Sequence, residues 1–182
     1  MAILRVGGTA VDYELRLLKK ILALLDMELS QVNAAIKQSQ EPESDGLLDL
    51  GAFLIGSGFV AVQRYINSTR VDFGVSKKDA YDKPPMFNKN ISTVAAINAI
   101  ANYWKHCSDW DERERKGEDP SKQGSSQLTI QHLESLGDLN DYPCANALAL
   151  MSLGKDLALS NLTSVLIEWR EGLWAGRSGT AE

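Results

Sequence analysis

The chain has 182 residues, 44% of them hydrophobic and 24% charged, with a formal net charge of −5. That length predicts a single domain over 1–182, able to bury roughly two-thirds of its unfolded surface without a metal or disulfide. The composition excludes disordered, collagen-like and low-complexity chains, and the acidic balance argues against a general nucleic-acid binder while leaving room for a local basic site.

Residues 10–38 carry the clearest pattern. Val11, Leu15, Leu18, Leu22, Leu25, Leu29, Val32 and Ile36 are spaced 4, 3, 4, 3, 4, 3, 4, an unbroken heptad seam. Leu17, Ile21 and Leu24 widen that stripe, so the helix is expected to meet more than one neighbour. Thr9 or Asp12 can cap its start, and the cluster from Glu41 to Gly46 ends it. A second helix is predicted from Leu47 to Ser68. Gly51, Gly56 and Gly58 each cost it about 1 kcal/mol of propensity against alanine, which close approach of another helix, or a kink, would explain. Its uninterrupted apolar stretch, Leu50 to Val62, is shorter than the roughly 20 residues a membrane span needs, so a buried bundle helix and no membrane partner are expected.

Residues 69–91 read as a long basic loop. Arg70, Lys77, Lys78, Lys83 and Lys89 outnumber Asp72, Asp79 and Asp82, and Pro84-Pro85 forbids a regular helix. Long connections are usually functional or mobile. Ser92 or Thr93 can cap a third long helix reaching Lys116. A polar linker follows, Gly117 to Ser126, then a short helix from Thr129 to Leu136 stopped by Gly137. Asp141 is placed to cap another helix ending near Gly154. A last helix, Lys155 to Trp174, carries Leu159, Leu162, Leu166, Trp169 and Leu173, and the small polar tail from Ala175 to 182 is expected to be flexible. No useful strand alternation or internal repeat competes. The fold class is all-α, a bundle of four long helices plus one or two short ones.

The third helix carries the chemistry. At about 100° per residue, Ile97, Ile100, Trp104 and Cys107 form its core stripe. His106 points nearly opposite Ile97, flanked by Asn102, Asp109 and Arg113 on one side and by Ala99, Tyr103 and Trp110 on the other. Histidine is readily poised as acid or base near neutral pH, and Arg113 suits a phosphate charge. By residue type alone, a histidine beside Trp and Tyr on a helix is more often a packed or interfacial residue than a catalyst.

Asn102-Tyr103-Trp104-Lys105-His106 resembles the end of the Arg-Asn-x-x-x-His signature of HEPN (higher eukaryotes and prokaryotes nucleotide-binding) domains. The resemblance implies an all-α, commonly dimeric bundle, often a metal-independent ribonuclease of toxin–antitoxin and other defence systems. The family's motif sits in a cleft at the dimer interface. Asn102 and His106 carry over as site residues. The family's arginine does not, because that position is Ala101 here, on the core side of the wheel. Either Arg113 or a loop cation replaces it, or nuclease activity is lost. In an active protein the ribose 2′-hydroxyl would attack its own phosphate, with His106 as acid or base and Asn102 and a cation holding the phosphate. Arg70, Lys77, Lys78, Lys83 and Lys89 would contact the RNA backbone, Tyr81 or Phe87 would stack on an unpaired base, and Tyr103 and Trp110 would also contact the RNA.

Other chemistries lack their residues. No Glu-x-x-His pair serves a di-iron bundle, His106 with Asp109 supplies only two metal ligands, and no Walker, GxGxxG or GxSxG loop occurs. Neither metal nor cofactor is therefore expected. Between Gln123 and Gly154 there is no lysine or arginine, so Thr129 to Leu153 is not expected to bind DNA as a helix-turn-helix. Cys107 and Cys144 are too few for a disulfide framework, and the apolar run Ala2 to Leu4 is too short for a signal peptide; both fit reduced thiols in the cytoplasm. Two functional classes follow: an HEPN-like protein that cleaves or binds RNA, as a homodimer, or a non-catalytic helical module for a cognate protein, such as an antitoxin, immunity or scaffold protein.

Overall fold

A computed structural model describes residues 4–6, 9–122, 124–139, 141–152 and 156–178. The architecture is an all-α bundle. A short antiparallel hairpin, β1 (Leu4–Val6) with β2 (Thr9–Val11), precedes it, with Leu4 opposite Val11. Three residues per strand are too few to leave a readable alternation, which is why the sequence did not predict them. The helices are α1 (Tyr13–Gln38), α2 (Leu47–Asp72), α3 (Lys77–Tyr81), α4 (Thr93–Arg115), α5 (Gly124–Glu134), α6 (Pro143–Met151) and α7 (Leu162–Ser178). Four are long, as expected; three are short, one more than expected. α2 packs on α1, α4 and α6, and α4 packs in turn on α5, α6 and α7.

α1 begins at Asp12, whose Oδ1 accepts the Leu15 N–H at 2.8 Å; Thr9 belongs to β2 instead. Leu15, Leu18, Leu22, Leu29 and Val32 of the heptad seam are buried. The wider stripe is not. Leu17 and Leu24 are 60% and 61% exposed, and Tyr13, Ile21 and Met27 are also open to solvent. The expected second neighbour of α1 is the turn over Leu159–Asn161, which packs on it beside α2, while the outer stripe stays largely open to solvent.

In α2 the glycines mark close approach. A Cβ on Gly56 would lie 2.2 Å from the Trp104 ring, and one on Gly58 would lie 2.4 Å from Leu159. Gly51 is different, since a Cβ there would reach Val32 at an ordinary 3.7 Å. Among the described residues α2 is the one helix long and apolar enough to cross a bilayer, and it sits here between α1, α4 and α6.

The expected long loop over 69–91 is corrected. α2 continues to Asp72, and Ser76 accepts the Asp79 N–H to start α3. The segment then passes a cis Pro84-Pro85 bond to a bridge between Met86 and Ser92. Phe73, Ala80, Tyr81 and Ile91 anchor it in the core, and Trp169 Nε1 donates to the Ala80 carbonyl at 2.8 Å. Four apolar anchors in so short a stretch hold it down despite its charge.

Later boundaries shift as well. α5 starts at Gly124, five residues before the predicted Thr129, and stops where Gly137 takes a positive φ of 107°. α6 begins at Pro143 with Tyr142 as its cap residue, so Asp141 is not the cap; Gly154 lies outside the described residues. The last helix starts at Leu162 rather than Lys155, after a 3-10 turn over Leu159–Asn161. Asp26 of α1 sets that start by accepting the Leu159 and Ser160 N–H groups at 2.6 and 3.0 Å. α7 runs to Ser178, past the predicted fraying point, and 179–182 lie outside the described residues. All five predicted apolar positions of this segment are buried.

One buried polar cluster ties the ends of the chain. Asp12 Oδ2 accepts from Tyr65 Oη at 2.7 Å and from Arg170 Nη1 at 2.9 Å. Removing one partner of such a pair leaves an uncompensated buried charge. Asp12→Ala should therefore lower unfolding free energy by about 3–5 kcal/mol in urea titrations. The α2 glycines should respond with opposite signs. Gly51→Ala should raise stability by up to about 1 kcal/mol, whereas Gly56→Ala should cost about 1–3 kcal/mol because Trp104 must move; calorimetric melting points check both.

Candidate functional site

α4 changes character along its length. Every residue from Thr93 to Ala101 is buried, because small and apolar side chains let this half pass through the core. Charged residues dominate the second half, which emerges from it. Ala101 is fully buried, as the helical wheel predicted, and the His106 side chain is 52% exposed.

Asn102, His106, Asp109 and Arg113 follow at spacings of 4, 3 and 4 and so share one face. That face meets α5. Together with Trp110, Ser126 and Thr129 they line a groove of about 320 Å³. The three residues proposed for catalysis from sequence are thus brought together. Ser126 and Thr129 were missed because the polar run before Thr129 read as linker. The i, i+3 pairing of two hydroxyl residues was the available signal.

His106 Nδ1 lies 3.6 Å from Asp109 Oδ2, longer than a hydrogen bond, with Nδ1 on the side of the carboxylate. Arg113 Nε donates to Glu118 Oε2 at 3.1 Å. Gly117, with a φ of 77°, reverses the chain after α4 and brings Glu118 back to that arginine. Asn102 Oδ1 accepts from Gln63 Nε2 of α2 at 2.8 Å. Gln63 was not singled out as a site residue from sequence; its signal was a polar residue, followed by Arg64, at the end of an apolar run.

The other predicted contacts lie elsewhere. Trp110 lines the groove and meets Tyr103 edge-on, with ring centroids 6.0 Å apart. Tyr103 is half-buried against the core. Arg70 donates to Asn67 at 3.2 Å, Lys77 sits 5.4 Å over the Tyr81 ring, and Lys78, Lys83 and Lys89 do not line the groove either. Tyr81 is buried and donates to Asn98 Oδ1 at 3.0 Å, so it cannot stack on a base, and Phe87 packs against the core. Both corrections follow from the folding of 69–91. At the end of α4 Lys116 pairs with Glu112 at 2.6 Å, and Arg115 donates to the Asp111 carbonyl.

Among the described residues no three of His, Cys, Asp and Glu cluster closely enough to hold a metal ion. A scan against protein-family models and searches of curated proteins and of solved structures return no match.

Burial pushes the Tyr81 and Tyr103 phenols up to about 12, and burial followed by the Asp12 hydrogen bond raises Tyr65 as well. A raised folded-state pKa means that the folded chain holds these protons more tightly than the unfolded one. The resulting stability is fully present below pH 10.0 and is lost as pH rises through 10.0 toward about 12. Alkaline titration should show these three phenols ionising late, their tyrosinate absorbance rising in step with loss of the helical circular dichroism signal.

Proposed function

We propose that the chain is an atypical HEPN-like protein that acts on RNA in a bacterial defence or toxin–antitoxin setting in the cytoplasm, with the α4–α5 groove as its site. The observation that carries this reading is the convergence of Asn102, His106 and Arg113 on one groove edged by the hydroxyl residues Ser126 and Thr129. A strand crossing it would meet an amide, an imidazole and a guanidinium within one face of α4. With Asp109 beside Nδ1, His106 Nε2 is the nitrogen that would take the ribose 2′-hydroxyl proton. The hydroxyl oxygen forms its bond to phosphorus as the bond to the 5′-oxygen breaks, and the departing 5′-oxygen takes its proton from solvent water. Arg113 and Asn102 would hold the phosphate oxygens.

Arg113 stands in for the cation that Ala101 cannot supply. Its share in the Glu118 ion pair lowers the positive potential of the empty groove, so a phosphate would compete with that carboxylate. This agrees with a slower enzyme than one carrying an arginine dedicated to the phosphate.

The test is incubation of purified protein with total RNA, with and without chelator, beside His106→Ala. Cleavage that survives chelator and falls by about 10²-fold or more in the variant is expected. Equal cleavage by both proteins would remove the nuclease reading.

A second reading has its own observation. The open stripe of Tyr13, Leu17, Ile21, Leu24 and Met27 on α1 favours an interaction module, pairing with a second copy or with a cognate protein. Leu17→Glu with Leu24→Glu should abolish that association in light scattering while leaving RNA cleavage unchanged. Loss of both together would instead place the site at the interface.

A further inference from the structure

Gln63 is 6% exposed and sits between groups of opposite hydrogen-bonding character. On one side its Oε1 faces Lys105 Nζ at 2.8 Å, a group that only donates. On the other its Nε2 faces the Asn98 backbone carbonyl at 3.4 Å, a group that only accepts. Reversing the Gln63 amide would set donor against donor at Lys105 and acceptor against acceptor at Asn98. Its orientation is therefore dictated at both ends.

That orientation propagates. The two Gln63 Nε2 hydrogens go to Asn98 Oδ1 and Asn102 Oδ1, each at 2.8 Å, with the Asn98 backbone carbonyl a more distant acceptor sharing one of them. Tyr81 Oη donates to the same Asn98 oxygen at 3.0 Å. Asn102 must turn its oxygen inward to meet Gln63. Its Nδ2 is then directed away from α2, and among the described residues no hydrogen bond engages it. Asn102 lines the α4–α5 groove, so the groove is offered an N–H donor rather than a carbonyl.

We infer that Gln63 and Lys105 are positioning residues that fix the polarity of Asn102, making the groove a receptor for the oxygens of a phosphate group. This rests on the α4–α5 groove being the ligand site, as in the RNA reading, but not on cleavage. The two residues never touch the ligand. They act through the direction of one amide, so a swap that keeps side-chain shape but changes donor to acceptor should matter as much as a larger lesion.

The experiment uses the full chain labelled with nitrogen-15 and titrated with inorganic phosphate at constant ionic strength, with chloride as control. The Asn102 side-chain resonances are identified by their loss in Asn102→Asp. Phosphate, and not chloride, should shift them saturably. In Gln63→Glu the new carboxylate cannot donate, Asn102 reverses to donate to it, and phosphate affinity should fall at least tenfold. Charge repulsion alone could do the same, so Gln63→Met, which adds no charge, should fall by a similar factor. Lys105→Arg keeps a donor-only head and should stay within about twofold of the parent.

Should the Gln63 variants not fold, Lys105→Met removes one of the two anchors on the surface and should weaken phosphate about threefold. Unmoved Asn102 resonances in the parent, or unchanged affinity in the folded Gln63 variants or in Lys105→Met, would overturn the proposal. Saturable shifts without RNA cleavage would leave the polarity standing and remove only the nuclease reading.

Discussion

The contact between Gly56 and the Trp104 ring fixes the rest of the molecule, because it leaves no room for even one carbon between α2 and α4. Seven residues further along α2, Gln63 bonds to Asn98 and Asn102 on the same helix. An apolar contact at one level and a polar one at another set the rotation of α4 about its own axis. Once that rotation is set, Ala101 must face the core, and Asn102, His106 and Arg113 must face α5. An arginine at 101 would be buried among apolar side chains, where an unpaired charge costs several kcal/mol. The alanine that departs from the HEPN signature is therefore the residue this helix seating requires.

The other long-range constraint comes from two carboxylates, one at the start and one in the middle of α1. Asp12 caps α1 while holding Tyr65 of α2 and Arg170 of α7, and Asp26 receives the first N–H groups of the turn that leads into α7. Each joins segments more than 130 residues apart. Backbone and side chain are thus satisfied by the same few acids, so the start of α7 is set by tertiary contact rather than by a local cap. That explains why its first turn could not be placed from residues 155–161 alone.

What was legible in the sequence was what repeats at helical period. The α1 seam, the Ser92 cap, the core stripe from Ile97 to Ile100 and the outward turn of His106 all follow from spacing. The unreadable parts depend on which neighbour arrives. Leu17 and Leu24 look like core residues by composition, yet both remain mostly exposed. The charges of 69–91 concealed Phe73, Ala80, Tyr81 and Ile91, whose burial turns a supposed loop into a packed segment. Ser126 and Thr129 joined the site because α5 begins earlier than its apolar residues suggested.

The open stripe on α1 and the groove on α4 make different demands on any assembly. α2 packs against both helices and separates them, so two copies joined through α1 would leave each groove open and complete within one chain. In that arrangement no partner could supply the charge that Ala101 lacks. Lys105 is turned toward Gln63, and the five basic residues of 69–91 lie outside the groove. Arg113 is then the guanidinium on the groove wall, and a phosphate bound there would compete with Glu118 for it. A cleft built instead across α4 would place two Arg113 side chains near two histidines, and the same substitution of Arg113 would act on both sites at once. If the chain cleaves RNA as proposed, mixing parent chains with Arg113-deficient chains would separate these cases, since cleavage would fall in proportion to the fraction of variant for independent grooves and more steeply for a shared cleft.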